Sequence, residues 1–235
     1  MERIDKIIAS QTNYSRKDVK KLISQKKVRV NDEIVKRPEQ KFDEQQDTIY
    51  IDENKLDMKK HIYLVLNKPQ GYISATEDRT AKTVLDLVPE QYMRKRLFPA
   101  GRLDKDTTGM MIITDDGEFA HNILAPRKHI EKTYKVQIDI DITEEMREKF
   151  KQGIVLKDHV CCPATIVVKD KNTALITITE GKYHQIKRMF GCFGAKVVIL
   201  HRISMGGLQL PSDLEEGQCR ELTKEELEKV CIRDK

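Results

Sequence analysis

Over 235 residues the chain carries 39% hydrophobic and 34% charged residues with a net charge of +5, the balance of a globular protein with a heavily charged surface. No apolar run approaches the roughly 20 residues that cross a bilayer, and the start at Met1-Glu2-Arg3 has no signal-peptide pattern, so a cytoplasmic protein with no membrane partner is expected. The five cysteines are odd in number and form no C-x-x-C pair, as reduced thiols would, and His159 beside Cys161-Cys162 finds no second cluster to complete a metal site; no metal is expected.

Ile4, Ile7 and Ile8 share one helical face. Ser15 with Asp18 three residues on resembles a capping box, and Val19, Leu22 and Ile23 continue at helical spacing. These apolar residues point inward and leave Arg16, Lys17, Lys20 and Lys21 on the opposite side. With Lys26, Lys27 and Arg29 they make seven cations between Tyr14 and Arg29 against one anion, Asp18, a larger surplus than the net charge of the whole chain. Val28-Arg29-Val30 alternates as a strand, Asn31-Asp32-Glu33 turns, Ile34-Val35 begins a return strand, and Ile49-Tyr50-Ile51 supplies a third. Residues 1–58 thus form a small α/β unit. Its opening Arg3-Ile4-Asp5-Lys6, Ser15-Arg16 and Val28-Arg29-Val30-Asn31 resemble the S4 RNA-binding module, which implies that Arg16, Lys17, Lys20, Lys21, Lys26, Lys27 and Arg29 contact RNA.

Glu53 to Lys60 is polar and serves as a linker. From residue 61 the pattern changes. Ile62 to Leu66 is a strand, Asn67-Lys68-Pro69-Gln70-Gly71 a turn, and Thr83 to Val88 a short helix. Gly109 to Thr114 is a buried strand, and Glu118 to Leu124 a helix stopped near Pro126. Thr133 to Ile140, Thr165 to Val168, Ala174 to Thr179 and Lys196 to Leu200 are strands, and Gln185 to Phe193 a helix. Strands outnumber helices without a steady βαβ rhythm, so residues 61–235 form a mixed, mostly antiparallel sheet domain, and the chain is α+β. A second basic block lies here: Lys182, Lys187, Arg188, Lys196 and Arg202, with no acid between Gly181 and Arg202. Two concentrated patches on a balanced chain point to a polyanion held at two places.

Gly101-Arg102-Leu103-Asp104-Lys105-Asp106-Thr107-Thr108-Gly109 sets one Asp in a Gly-bounded loop feeding the strand at Met110, where a fold can hold a carboxylate rigidly at the mouth of a cleft. The segment also fits D-x-D-x-T, the nucleophile motif of haloacid-dehalogenase-type phosphotransferases. That motif ends a strand beside Mg²⁺, whereas here a loop with Pro99 and Gly101 precedes it and Arg102 would repel the metal.

Gly101-Arg102-Leu103-Asp104 with Thr107 and Gly109 resembles the G-R-L-D-x-x-T-x-G signature of the pseudouridine synthases, in the RsuA-type branch. Asn67-Lys68-Pro69-Gln70-Gly71, Lys132-Thr133-Tyr134, Glu180 to Met189, and Leu200-His201-Arg202 with Gly206 follow in the family's order, with Met110, Met111 and Met205 in place of its usual Leu or Ile. The resemblance implies isomerisation of uridine to pseudouridine in RNA, a reaction that consumes nothing and needs no cofactor. It makes Asp104 the nucleophile, Lys187 its neighbouring cation with Arg188 as the alternative, and Tyr134 the wall against which the uracil stacks. Arg102 fills the space left by the flipped base, and Lys182, Arg188 and Arg202 join the phosphate contacts. His184 and His201 have structural or RNA-contacting parts rather than acid–base ones. Tyr183-His184-Gln185-Ile186-Lys187 is more similar to the branch acting on small-subunit ribosomal RNA than to the large-subunit branches. Ribosomal RNA, in a small-subunit particle or assembly intermediate, is the expected partner of a monomeric enzyme. The alternatives are a large-subunit enzyme and a non-catalytic ribosome-assembly protein on the same scaffold.

Overall fold

In the computed structural model, which describes residues 1–94 and 96–232, the chain divides into two compact units, Met1–Ile62 with Val88–Leu97, and Tyr63–Leu87 with Phe98 onward. The N-terminal unit runs β1 (Glu2–Arg3), α1 (Ile4–Gln11), α2 (Arg16–Ser24), β2 (Val28–Val30), β3 (Glu33–Ile34), β4 (Lys41–Phe42), β5 (Ile49–Ile51) and β6 (Asn54–Lys55). β1 pairs with β4, and the remaining strands form a sheet of order β3-β2-β5-β6. Helical spacing drives the fold: Ile4, Ile7 and Ile8 of α1 and Val19 and Ile23 of α2 close on Val28, Val30, Val35 and Ile49. The capping box at α2 is complete, the Asp18 amide donating to Ser15 Oγ at 3.1 Å and the Ser15 amide to Asp18 Oδ2 at 2.7 Å. Asp5 is buried and takes both branches of the Arg3 guanidinium at 3.0 Å. Asn31 adopts the left-handed backbone (φ 53°) and ties the hairpin to Asp47 and Thr48 through its amide.

The second unit is built on a nine-stranded sheet. Its strands are β7 (Tyr63–Lys68), β8 (Phe98–Pro99), β9 (Thr108–Thr114), β10 (Lys132–Ile138), β11 (Thr165–Asp170), β12 (Thr173–Ile178), β13 (Val197–Met205), β14 (Leu208–Gln209) and β15 (Cys219–Glu221). Their order is β11-β12-β10-β13-β9-β7-β15, with β14 on β13 and β8 on β9. Helices α3 (Gly117–Leu124), α4 (Glu144–Gln152), α5 (Gln185–Gly191) and α6 (Lys224–Val230) accompany it. The sheet is antiparallel except where β13 meets β9 in parallel, His201 opposite Thr108 and Arg202 opposite Gly109. There a Cβ on Gly109 would lie 2.3 Å from the Arg202 carbonyl oxygen, and its φ is +99°, so only glycine fits. Val65, Met110, Ile112, Ala120, Ile123 and Met205 form the centre of the core.

Several elements depart from the sequence expectation. Thr83 to Val88 makes only a 3-10 turn over Val84–Leu87. β13 runs on to Met205 instead of stopping at Leu200, because His201, Arg202, Ser204 and Met205 pair with β10 on one side, while on the other His201 and Arg202 pair with β9 and Ser204 and Met205 with β14. Helices α4 and α6 were not anticipated; Thr143 and Thr223 cap them. Among the described residues no helix is long and apolar enough to cross a membrane.

Candidate active site

Asp104 sits in the loop before β9, and its neighbours on both sides are pinned. Ser74 Oγ donates to the Leu103 carbonyl at 2.7 Å and accepts from the Leu103 amide at 2.9 Å. The Gly71 amide donates to the Lys105 carbonyl at 2.8 Å. Lys68 is fully buried, and its ammonium donates to the carbonyls of Thr107 at 2.8 Å, Pro69 at 3.1 Å and Lys105 at 3.4 Å. Its burial, only partly offset by Asp106 and Asp104, pushes its pKa down to about 8. The Asn-Lys-Pro-Gln-Gly turn therefore acts as a clamp on the Asp104 loop, a function visible only once residues 68 and 105 meet in space. Gly101, at φ +93°, brings the chain within van der Waals reach of Leu124 at the other end of that loop.

From α5, Lys187 reaches across to the loop. Its Nζ lies 3.0 Å from Asp104 Oδ2 and 2.6 Å from Asp106 Oδ1. Burial works against its charge, but the hydrogen bonds to Asp106 and Asp104 outweigh burial and hold its pKa above the ordinary lysine value. The same bond holds the Asp106 carboxyl below the usual carboxylate range. Asp104 and Lys187 keep 26% and 23% of their side-chain surface open to solvent, so the pair is sheltered yet reachable.

Two residues enter the site that the sequence did not flag there. Asp106 shares the lysine. His184 places Nε2 at 3.4 Å from Asp104 Oδ1, held by a left-handed backbone at φ 49°. A left-handed histidine costs roughly 1 kcal/mol or more, and no local pattern of residues signals it.

Beside Asp104 opens a small hollow of about 70 Å³, lined by Arg102, Leu103, Thr107, Tyr134, Ile178 and Lys182 among others. Tyr134 is buried on β10 between Ile176 and Arg202. The Thr107 hydroxyl is buried there without a hydrogen-bond partner among the described residues. A wider groove of about 530 Å³ continues on the other side of Asp104, with Ser74, Lys105, Asp106, Tyr183 and Lys187 in its walls. Arg102 and Lys182 are exposed and line both hollows.

Two expectations need correction. Arg202 is only 2% exposed, its Nε donating to the Met110 carbonyl at 2.6 Å while Nη2 has no partner among the described residues, so it holds the sheet together and offers nothing to a phosphate. Arg188 does not face Asp104. Its guanidinium is paired with Asp158, which lies well down at a pKa of about 2 because of that bond, and it also donates to the Tyr183 carbonyl. In the N-terminal unit Arg16, Lys17, Lys20, Lys21, Lys26 and Lys27 are exposed. Arg29 is partly covered, its guanidinium 3.9 Å over the Tyr50 ring.

The RNA pseudouridylate synthase family matches residues 62–191 and the S4 domain residues 2–49. A protein of Escherichia coli named ribosomal small subunit pseudouridine synthase A is 41% identical, the match covering 97% of this chain and 99% of that one. A Bacillus subtilis protein named uncharacterized RNA pseudouridine synthase YtzG is 40% identical over 96% of each. A crystal structure of a pseudouridylate synthase superposes with a TM-score of 0.69 at 38% identity, covering 98% of this chain and 100% of that one. The chain is a member of the RNA pseudouridylate synthase family with an S4 domain at its N-terminal end.

Proposed function

We propose that this pseudouridine synthase converts one uridine of small-subunit ribosomal RNA, with Asp104 as the nucleophile and the uridine swung out of its stack. The carrying observation is Asp104 itself, set between a small hollow and a wider groove with Lys187 at 3.0 Å. The ammonium gives the attacking carboxylate a charged partner inside the pocket. Asp104 attacks the ribose or the uracil ring, the N-glycosidic bond breaks, the base turns, and carbon rejoins carbon as the carboxylate is released. One proton moves from the base carbon to its ring nitrogen through solvent, so no co-reactant is needed.

In this reading Tyr134 is the flat wall for the uracil, and Arg102 occupies the space the base vacates, at a cost of a few kcal/mol for eversion. Lys182 contacts phosphate beside the site. Residues 1–58 dock RNA through Arg16, Lys17, Lys20, Lys21, Lys26, Lys27 and Arg29, while residues 61–235 hold the chemistry. The S4 match and the exposure of the first six of these cations support that division. The small-subunit assignment is supported by the name of the Escherichia coli relative at 41% identity. In this reading the enzyme acts as a monomer in the cytoplasm, where ribosomal RNA is assembled into particles.

The test uses RNA labelled with tritium at uridine C5. Wild type releases tritium, and Asp104→Asn releases on the order of 10³-fold less or below detection, while its affinity for RNA stays near wild type. Equal release from both proteins overturns the nucleophile assignment. Pseudouridine mapping in a deletion strain then assigns the substrate: loss of a site in the small-subunit RNA is expected, and loss in the large-subunit RNA overturns that part.

A further inference from the structure

The chemistry at Asp104 leaves Tyr183 unused. It is 76% exposed, although a tyrosine ring carries a large apolar area that is ordinarily covered. One face of the ring is stacked on the His184 imidazole, the centroids 3.9 Å apart and the planes 19° from parallel, and His184 in turn lies 3.4 Å from Asp104. The ring therefore extends a two-layer stack outward from the reacting carboxylate and leaves its other face open in the wall of the wider groove.

The base under this ring is rigid. Arg188, itself paired with Asp158, donates to the Tyr183 carbonyl at 3.4 Å. The Lys182 amide donates to Gln185 Oε1 at 3.0 Å, and Gln185 Nε2 donates to the buried Glu180 at 2.8 Å. Arg102, Lys105 and Lys182 line the same groove and supply the positive walls that a phosphate backbone follows. A rigid exposed aromatic ring, a positive groove beside it and a fixed separation from a nucleotide pocket together suit one ligand class, an unpaired nucleobase.

We propose that Tyr183, backed by His184, is a stacking platform for the nucleobase next in the strand to the everted uridine. The proposal rests on the uridine pocket described above and adds a second subsite to it. Stacking reads no hydrogen-bond edge, so the subsite accepts any base and holds purines, with their larger faces, most tightly. It accounts for the brace that Arg188 forms, since a platform for stacking needs a fixed plane.

The probe is a stem-loop RNA whose loop holds one uridine with 2-aminopurine on its 5′ side, or in a second version on its 3′ side, added to the full-length protein. Wild type is expected to quench the fluorophore in one of the two versions, and Tyr183→Phe to do the same. Tyr183→Ala should lose that quenching and bind on the order of tenfold more weakly, while kcat at saturating RNA stays within about twofold. Wild-type quenching and affinity in Tyr183→Ala overturn the platform. Tritium release by wild type, measured on unmodified ribosomal RNA, separates the two ideas. If wild type releases tritium and Tyr183→Ala binds normally, the platform alone falls. If wild type releases none while quenching still depends on Tyr183, the uridine pocket falls and the stacking site stands.

Discussion

In the N-terminal unit Arg16, Lys17, Lys20, Lys21, Lys26 and Lys27 stand in solvent on α2 and the turn after it, whereas in the catalytic unit Lys68, Lys132 and Arg202 are buried. The first set faces outward because α2 turns its apolar positions, Val19 and Ile23, to the core. The second set donates to backbone carbonyls: Lys68 to Thr107, Lys132 to Ile130 and Arg202 to Met110. One kind of residue stands exposed in one place and serves as a backbone tether in the other. Lys187 is intermediate, sheltered but facing two carboxylates. Cation counts along a sequence therefore measure charge and not availability: Arg202 reads as a surface cation and lies buried in the fold.

That contrast can be broken or sharpened by substitution. The largest effect is expected at the intermediate lysine. Lys187→Met should lower kcat on the order of 10²-fold or more, with RNA affinity changed little; single-turnover kinetics at saturating RNA check this, and an unchanged rate would move Lys187 to the phosphate-binding class. Next come the solvent-facing residues. Lys20→Ala with Lys21→Ala should weaken RNA binding about tenfold near physiological salt and reduce the slope of log affinity against log salt by roughly 1 to 2, leaving kcat intact. Binding isotherms at several salt concentrations decide it, and an unaltered slope removes α2 from the RNA surface.

The smallest effect concerns the tethers. Burial, with a contribution from Arg202, pushes Lys132 down to about 8. Its folded-state value lies below that of the unfolded chain, so between about pH 8 and 10.5 the unfolded chain holds the extra proton and this group's penalty is relieved as pH rises. Relative to Lys132→Met, the wild-type protein should gain thermal stability across that window. Melting curves at pH 7.5 and pH 10 suffice, and parallel changes in both proteins would show that burial does not lower the Lys132 pKa in the fold.

Much of the fold was legible from periodicity, and the shortfalls have specific causes. β7, β9, β10 and β12 carry apolar runs or alternation that no helix would produce. β13 was cut short because His201 and Arg202 look like surface residues, yet Arg202 is buried and His201 is tied through Nδ1 to Thr108 Oγ1 at 2.8 Å. Helix α4 buries only Met146 and Phe150, and α6 turns only Val230 and the partly buried Leu227 to the core, too few to mark an amphipathic stripe, although their Thr caps were available signals. At the site, Asp104 and Lys187 could be paired from the order of motifs. The Lys68 clamp, the second carboxylate Asp106 and the approach of His184 could not, because each depends on segments brought together by the parallel β9–β13 contact or by the turn after β7.

The double hold on Lys187 has a consequence for the proposed reaction. When Asp104 becomes an ester with the substrate, its negative charge vanishes, and a lone lysine partner would be stranded in a half-closed site. Asp106 remains ionised, its pKa already depressed by that same ammonium. Lys187 therefore keeps a carboxylate partner through the covalent stage without any side chain relocating, and the lysine is still in position when the Asp104 carboxylate reappears at product release.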